Sequence, residues 1–358
     1  MNVLASPKVF VIILHWNKQK EILECLESVL KIDYANYEVV VVDNGSDNNS
    51  YEVIQKNYQD VHLMRNRNNL GFAGGNNVGM RYAMEQKADY VWLLNDDTIV
   101  EPDVLSKMVK ISEHGKNIGM VSPIIYYYDH PNSVQYAGSY IDWETLSVKE
   151  YADADITNSA IVKMFQTGQD VCLWGTSLLI KREVIEKVGF LDDRYFAYWE
   201  DTEYSIRTLK KGFRNMVCNR GKIYHKTNRD ILKQCGHQEY YYYYMFRNRA
   251  LLIKEYSQGV MNLLNCERIF LADILNAIGS CWRNGNIKNL DAILLGTSHG
   301  FKGITGPMQQ TDGMPRLLKT FFKAMAKSHP FFLSAMIRLD FKKMKEMIKA
   351  RAGVNSVS

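Results

Sequence analysis

Apolar runs that stop abruptly at polar turns recur along the first third of the chain. Val9-Phe-Val-Ile-Ile-Leu14 is rich in β-branched residues and stops at His15-Trp16-Asn17-Lys18. Tyr37-Glu-Val-Val-Val-Val42 stops at Asp43-Asn44-Gly45-Ser46. Between them, apolar residues at 22, 23, 26, 29 and 30 keep helical spacing over Glu21 to Leu30. Two strands apolar throughout, joined by an amphipathic helix, predict a βαβ unit and hence a parallel sheet. Ser46 or Asp47 is suited to cap the next helix. Val61 to Met64 predicts a short third strand. Tyr90-Val-Trp-Leu-Leu-Asn95 predicts a fourth, buried strand that runs straight into Asp96-Asp97-Thr98.

Between the third and fourth strands, Asn68 to Gly79 holds four glycines and four asparagines. It predicts a turn opening a helix over Val78 to Gln86. Such a turn either lets backbone approach a ligand, with free N–H groups for an anion, or is simply tight. It is neither G-x-G-x-x-G nor a Walker A loop. Pro102 to Ser112 predicts a helix and Gly119 to Ile125 a strand. Tyr126 to Gln166 has weak periodicity and reads as loops and short strands. Val171 to Ile180 predicts a strand interrupted at Gly175. Helices are expected over Lys181 to Val188 and Thr202 to Lys211, with short strands at Phe213 to Cys218 and Lys222 to His225. From Tyr240 onward the spacing is helical, over Tyr240 to Ile253, Glu267 to Cys281 and Leu290 to Gly300. The expected organisation is an α/β unit over 1–235, a helical region over 236–305, and a linker and tail over 306–358.

Composition changes this picture in two places. The 358 residues are 46% hydrophobic and 23% charged, ordinary for a globular protein. No window of about 18 apolar residues exists, and Val9 to Leu14 is too short for a signal peptide, so a cytoplasmic location is expected. The six cysteines show no C-x-x-C spacing, which argues for reduced, mostly buried thiols. Charge is uneven. Pro315 to Arg351 holds ten Lys or Arg against two acids, leaving 34 basic and 37 acidic residues elsewhere. Interleaved with Phe, Leu, Met and Ile, this basic tail suits an anionic membrane surface, or a helix packed on protein. No nucleic-acid partner is expected.

Two acidic constellations carry the candidate chemistry. Asp96 and Asp97 at a buried strand end repel each other and call for an offsetting charge, such as a divalent cation bearing phosphate. The alternative is a helix cap, with Asp97 or Thr98 heading the helix near Pro102. The second is Trp199-Glu200-Asp201-Thr202-Glu203 after Tyr195-Phe196-Ala197-Tyr198. Carboxylates at a helix start are stabilised as anions, while burial among aromatics raises their pKa, the tension a general base needs. The alternative is again a cap. His225, at a strand end, reads as a structural histidine or a ligand.

Taken in order, these motifs resemble the inverting family 2 glycosyltransferases of the GT-A fold, and among them the rhamnosyltransferase-like enzymes of surface-polysaccharide synthesis. The resemblance spans Val9 to Ile253. It rests on His15-Trp16-Asn17, Val42-Asp43-Asn44-Gly45-Ser46, Asn69-Leu70-Gly71-Phe72-Ala73-Gly74-Gly75-Asn76, Leu94-Asn95-Asp96-Asp97-Thr98, Trp199-Glu200-Asp201, His225 and the Tyr-rich segment into Arg247-Asn248. It implies a mainly parallel sheet flanked by helices, with a C-terminal helical extension. It implies a donor site at Asn17, Asp43, Asn69, Gly71, Asn76, Asn95 and Asp96, with Asp43 on the base or ribose. It implies Mg²⁺ or Mn²⁺ on Asp97 and His225, and Asp201 as the base. Asn95 stands where the family has the first acid of its Asp-x-Asp motif. Trp174, Trp199, Glu200 and Arg247 are implied at the acceptor or the diphosphate. The implied partners are a dTDP- or UDP-sugar, rhamnose first, and a glycan or lipid-linked acceptor at the inner face of the cytoplasmic membrane. UDP-galactofuranose or UDP-N-acetylhexosamine donors remain open, as does a non-catalytic nucleotide-sugar or glycan-binding protein.

Overall fold

The computed structural model describes residues 6–151, 156, 159–227, 238–284 and 286–308. The basic tail over 315–351 and most of the linker lie outside the described residues. Four parallel strands form one half of a nine-stranded sheet: β1 (Val9–His15), β2 (Tyr37–Asp43), β3 (His62–Arg65) and β4 (Tyr90–Asn95), in the order β3-β2-β1-β4. The other half is mixed. It contains β5 (Thr98–Val100), β6 (Ile118–Tyr127), β7 (Val134–Tyr136), β11 (Ser177–Lys181) and β12 (Arg214–His225). Its order continues β4-β11-β6-β12-β5, with β7 on β6, and β11 runs antiparallel to both neighbours. A separate three-stranded sheet joins β10 (Val171–Cys172), β8 (Ser139–Asp142) and β9 (Ser147–Glu150).

Strand periodicity explains the two-layer covering. Val9, Val11 and Ile13 pack with α1 (Gln19–Val29) and α4 (Val104–Glu113) on one face. Phe10 and Ile12 pack with α3 (Gly71–Glu85), α6 (Arg182–Val188) and α7 (Glu200–Lys210) on the other. Alternate residues of one strand thus feed two cores. The remaining helices on the sheet are α2 (Ser50–Asn57) and α5 (Ser159–Thr167). Three helices follow: α8 (Glu239–Tyr256), α9 (Gly259–Arg283) and α10 (Ile287–Lys302). Their apolar faces form a third core that reaches Tyr195 and Ile206. Five cysteines are free and buried, and Cys235 is outside the described residues. No described helix is long and apolar enough to cross a membrane.

Several expected boundaries change. The glycine- and asparagine-rich stretch is not a loop before a helix at Val78; it is the first two turns of α3, which begins at Gly71. Gly75 and Gly79, four apart, face β1, and a Cβ there would lie 2.4 Å from Leu14 or Ile12. The glycines bring helix against strand, a packing need that turn chemistry does not reveal. The expected caps also move. α2 begins at Ser50, beyond Ser46 and Asp47, and the backbone N–H of Ser50 donates to Asn48. α4 begins at Val104, so Asp97 and Thr98 cap nothing; Thr98 opens β5 instead. The two short strands expected over 213–225 are one strand, β12, with an irregularity between Cys218 and Lys222. The segment read as loops and short strands holds β7, β8, β9 and the helix α5.

Candidate functional site

The carboxyl ends of β1, β2 and β4 lie level, with His15 beside Asp43 and Leu14 beside Asn95. In an open α/β sheet this edge is where ligands bind. Asp43 is fully buried; its Oδ1 accepts from the Ser46 N–H at 3.1 Å, and its Oδ2 lies 3.1 Å from Arg65 Nε. Asn17 adopts φ 60°, and its Oδ1 accepts from the Asp47 N–H at 3.0 Å. Asn69 Oδ1 accepts from Gly71 N–H at 2.8 Å and from Asn44 Nδ2 at 3.0 Å. Three loops are thereby stitched into one wall.

The two strand-end acids separate in role. Asp96 Oδ2 lies 2.9 Å from His15 Nδ1, and His15 Nε2 lies 2.8 Å from Ser50 Oγ. The trio looks like a hydrolytic relay, but Ser50 and His15 are wholly buried, so no substrate reaches the hydroxyl. It braces Asp96. Burial pushes the Asp96 pKa up; the His15 hydrogen bond opposes this and the Asp97 charge adds to it. Asp97 turns the other way. Its Oδ2 accepts from Lys18 Nζ at 2.6 Å, and its Oδ1 lies 3.0 Å from His225 Nε2. Burial alone would raise its pKa, but His225 and Lys18 outweigh burial and hold it well below the carboxylate range.

Topology brings His225 there. After Asp97 the chain turns back as β5, which pairs antiparallel with the end of β12, His225 opposite Thr98. The Lys226 N–H donates to the Asp97 carbonyl at 2.9 Å. His225 Nδ1 lies 3.0 Å from Gln135 Oε1 and 3.1 Å from Thr227 Oγ1, and these two side chains orient the ring. Its Nε2 faces Asp97 Oδ1, a buried oxygen with no aligned hydrogen bond. The two atoms, 3.0 Å apart, form an ion pair when the imidazole carries a proton, and both can offer electron pairs to one cation when it does not. This donor set, one imidazole and one carboxylate, fits a hard divalent ion.

The second constellation sits next to the first. The Asn95 N–H donates to the Thr176 carbonyl at 3.0 Å, and the neighbouring Gly175 N–H donates to Asp201 Oδ2 at 2.8 Å. The two-residue segment Gly175-Thr176 therefore joins the end of β4 to Asp201. Asp201 Oδ1 accepts from the Thr202 N–H at 2.6 Å. Burial raises the Asp201 pKa, with those two N–H groups opposing. Glu200 is 4% exposed and its Oε2 has no hydrogen-bond partner. Burial, then the Asp201 charge, pushes it well above the carboxylate range. Burial thus favours the protonated form at Glu200 more than at Asp201, whose carboxylate takes two N–H groups.

The loop before these acids is strained. Phe196, Tyr198 and Trp199 have φ of 61°, 66° and 71°. Left-handed backbone at bulky residues costs about 1–3 kcal/mol each and persists only where surroundings enforce it. Here Asn248 Nδ2 donates to the carbonyls of Tyr195, Ala197 and Tyr198, at 2.8, 2.8 and 2.6 Å. Arg247 is fully buried; its Nη2 donates to the Tyr195 and Arg194 carbonyls and its Nη1 to that of Gly306. The expectation that Arg247 steadies a diphosphate or an acceptor is thus corrected: it is a clamp with no face open to ligand. From the other side, Phe72 N–H donates to the Phe196 carbonyl at 2.5 Å. The α3 N-terminus, expected to offer free N–H groups to an anion, is thus occupied by protein. Asn76 is 1% exposed and donates to the Phe72 carbonyl, so its expected donor contact is not available in this arrangement. Gly71 has φ 76°, and a Cβ there would meet the Phe196 oxygen at 2.3 Å; its glycine serves this junction, not a ligand.

Of the aromatic candidates, Trp174 stacks on Tyr136 with centroids 4.3 Å apart and donates to Glu150 at 3.2 Å. Trp199 is half-buried with its Nε1 unpartnered. Sequence reasoning missed Lys18, Gln135 and the Gly175 N–H. Lys18 was visible as the first base after β1 and needed only the β1–β4 adjacency. Gln135 lies in a segment without periodicity and carried no signal. Two other features lie away from this edge. A cavity of about 1020 Å³ is lined by Trp143, Asp170, Lys210, Arg214, Tyr256 and others. Asp192, Glu203 and Glu255 cluster within reach of one ion, but Arg194 and Arg207 already neutralise them.

Comparisons with known proteins bear on the family and the fold. The family model described as glycosyl transferase family 2 matches residues 10–189, half of the chain. A dTDP-rhamnosyl transferase, RfbF of Shigella flexneri, is 24% identical over 84% of this chain and 98% of its own length. A galactofuranosyltransferase, GlfT1 of Mycolicibacterium smegmatis, is 24% identical over 71% of this chain and 84% of its own. Among solved structures, a mannosyltransferase of Pyrobaculum calidifontis in complex with GDP-Man and Mn²⁺ covers 82% of this chain and 87% of its own, with TM-score 0.52 and 16% identity. That likeness shows the GT-A fold.

Proposed function

The chain belongs to glycosyl transferase family 2, and from that premise we propose that it is a metal-dependent, inverting hexosyltransferase acting on a nucleoside-diphosphate sugar. The observation that carries this reading is the segment Gly175-Thr176, which bonds Asn95 at the end of β4 on one side and the desolvated Asp201 carboxylate on the other.

In this reading Asp97 and His225 hold Mg²⁺ or Mn²⁺, which when bound offsets charge on a diphosphate leaving group. The chain's own residues do the rest. Asp201, its anion favoured by two N–H donors while burial makes it more basic, accepts the proton of an acceptor hydroxyl. Glu200, pushed toward its protonated form, limits the charge beside Asp201. Asp43, Asn17 and Asn69 shape the wall where base and ribose would rest. Trp174, Trp199 and the tyrosines at the start of α8 are assigned to the acceptor side. A carboxylic acid that protonates the leaving oxygen, as in glycosidases, is not needed.

The favoured donor is dTDP-rhamnose, supported by the relative that spans nearly its whole length against this chain. The galactofuranosyltransferase relative supports a second reading with the same mechanism and another donor. The acceptor is proposed to be a glycan, lipid-linked where the basic segment 315–351 meets an anionic membrane surface. A thermal-shift titration with dTDP, UDP, GDP and CDP, each with and without Mn²⁺, tests this. A ligand that binds only the folded state raises Tm by mass action. A Mn²⁺-dependent rise with dTDP alone is expected. A rise with UDP alone moves the donor to the second reading, and no rise with any nucleotide at millimolar concentration overturns the metal-diphosphate site.

A further inference from the structure

Lys18 stands where a divalent ion would have to come. Its Nζ donates to Asp97 Oδ2 at 2.6 Å and lies 4.0 Å from Asp96 Oδ1. The carboxylate end of this pair is enclosed, Asp97 being 14% exposed, while the lysine side chain is 50% exposed. Burial works against the ammonium, yet Asp97 and Asp96 outweigh it and hold its pKa above that of an ordinary lysine. Lys18 follows directly on Asn17, the left-handed residue of the turn after β1. The base of the side chain is thus fixed, and its four-carbon stem is free to swing.

From this geometry we propose that Lys18 is a donor-binding residue and the resident counter-ion of the metal seat. It holds Asp97 when no divalent ion is present, is displaced when one binds, and then pairs with the diphosphate of the nucleotide-sugar. The inference rests on the metal-diphosphate reading above and extends it to a residue to which that reading gives no part.

Electrostatics dictates the exchange. Asp97 has two oxygens, one toward His225 and one bonded to Lys18. A divalent ion on Asp97 would face an ammonium in direct contact with the same carboxylate, and like charges at that range repel strongly. Lys18 must then turn outward, toward solvent and toward the space a polyanion would enter. A diphosphate supplies the negative charge that both cations need. Metal and nucleotide therefore bind each other's preferred state, and metal alone binds weakly because it must displace the lysine. Lysine suits the task as a point charge on a flexible stem, and arginine at this place would keep the charge.

Calorimetric titration of Mn²⁺ without nucleotide, backed by electron paramagnetic resonance of free Mn²⁺, tests this in the full chain. Wild type is compared with Lys18→Gln, Lys18→Met, Lys18→Arg and Asp97→Asn. Lys18→Gln and Lys18→Met should bind Mn²⁺ more tightly than wild type, on the order of tenfold, the scale of one charge-assisted contact. In saturating Mn²⁺ the same two variants should bind dTDP or UDP more weakly by a similar factor. Lys18→Arg should track wild type in both. Mn²⁺ affinity that Asp97→Asn abolishes but Lys18→Gln and Lys18→Met leave unchanged or weaker overturns this proposal alone. If no form binds Mn²⁺ with or without nucleotide, this proposal falls together with the metal-diphosphate reading.

Discussion

Glu200 and Asp201 are adjacent in sequence, yet their surroundings pull them apart. Asp201 accepts two backbone N–H groups, whereas Glu200 Oε2 accepts none. In the proposed role of base, Asp201 acts as an anion. Its pKa is raised in the folded protein, so activity is lost as pH falls through that raised value. The acid limb of kcat against pH should therefore lie above about 4, the range of an ordinary aspartate. Asp201→Asn should remove turnover, by at least about a hundredfold, the scale of general-base catalysis, while leaving the nucleotide-induced Tm shift in place. Glu200→Gln is the contrasting substitution. An acid whose pKa is raised on folding binds more protons folded than unfolded, so stability falls as pH rises above its ordinary value of 4.5. Replacing Glu200 by its neutral isostere should flatten that fall, by up to about 1.4 kcal/mol per pH unit, and keep most activity. Urea unfolding at pH 4, 6 and 8 measures this; an unchanged slope would show that Glu200 ionises normally.

At the level of elements, the site depends on how α3, α7 and α8 meet. The run 196–199 carries three bulky residues in left-handed backbone, gripped by Arg247 and Asn248 of α8 and by the N-terminal N–H groups of α3. The catalytic candidates at the start of α7 are presented by that run. Gly71→Ala would put a methyl 2.3 Å from the Phe196 oxygen and force alanine to φ 76°. The backbone penalty alone is about 1–2 kcal/mol, and the clash adds to it. The expected outcome is a lower urea midpoint with an unchanged m-value, together with a drop in kcat larger than any loss of nucleotide binding. Equal losses in both would mean that Gly71 serves the donor directly. Helix α3 carries the same lesson along its length. Its glycines resembled a ligand-cradling loop in sequence, and Gly75 and Gly79 serve instead to seat the helix on β1.

Across the whole molecule, charge is partitioned. The body carries 34 basic and 37 acidic residues, while 315–351 carries ten against two. Apolar residues interleaved with that basic segment give it the character of a membrane-surface contact. Flotation of the full chain with vesicles of phosphatidylglycerol, and with phosphatidylcholine as control, checks this. Binding is expected to the anionic vesicles alone, and weaker at 0.5 M salt, where the Debye length falls to roughly 4 Å. Equal flotation with both lipids would assign the interaction to apolar residues, and no flotation would leave the segment to a protein partner. A catalytic edge facing a lipid-linked acceptor and a basic tail on the same membrane would serve one reaction.

What the sequence determined by itself was local and periodic. Short uninterrupted apolar runs that stop at polar turns read as buried strands, so β1, β2 and β4 and their polar ends were legible, and with them Asp43, Asp96 and Asp97. Order along the chain then made the family resemblance specific. What the tertiary structure decided was which polar groups meet. Asp97, Lys18 and His225 are brought together because β1 lies beside β4, and because β5 doubles back on β12. Arg247, an attractive cation in sequence, turned out to hold carbonyls, since a buried guanidinium takes whatever acceptors the packed chain offers it. Periodicity reports which face of an element is buried. It carries no information on contacts between residues 80 or 200 positions apart, and those contacts make the site.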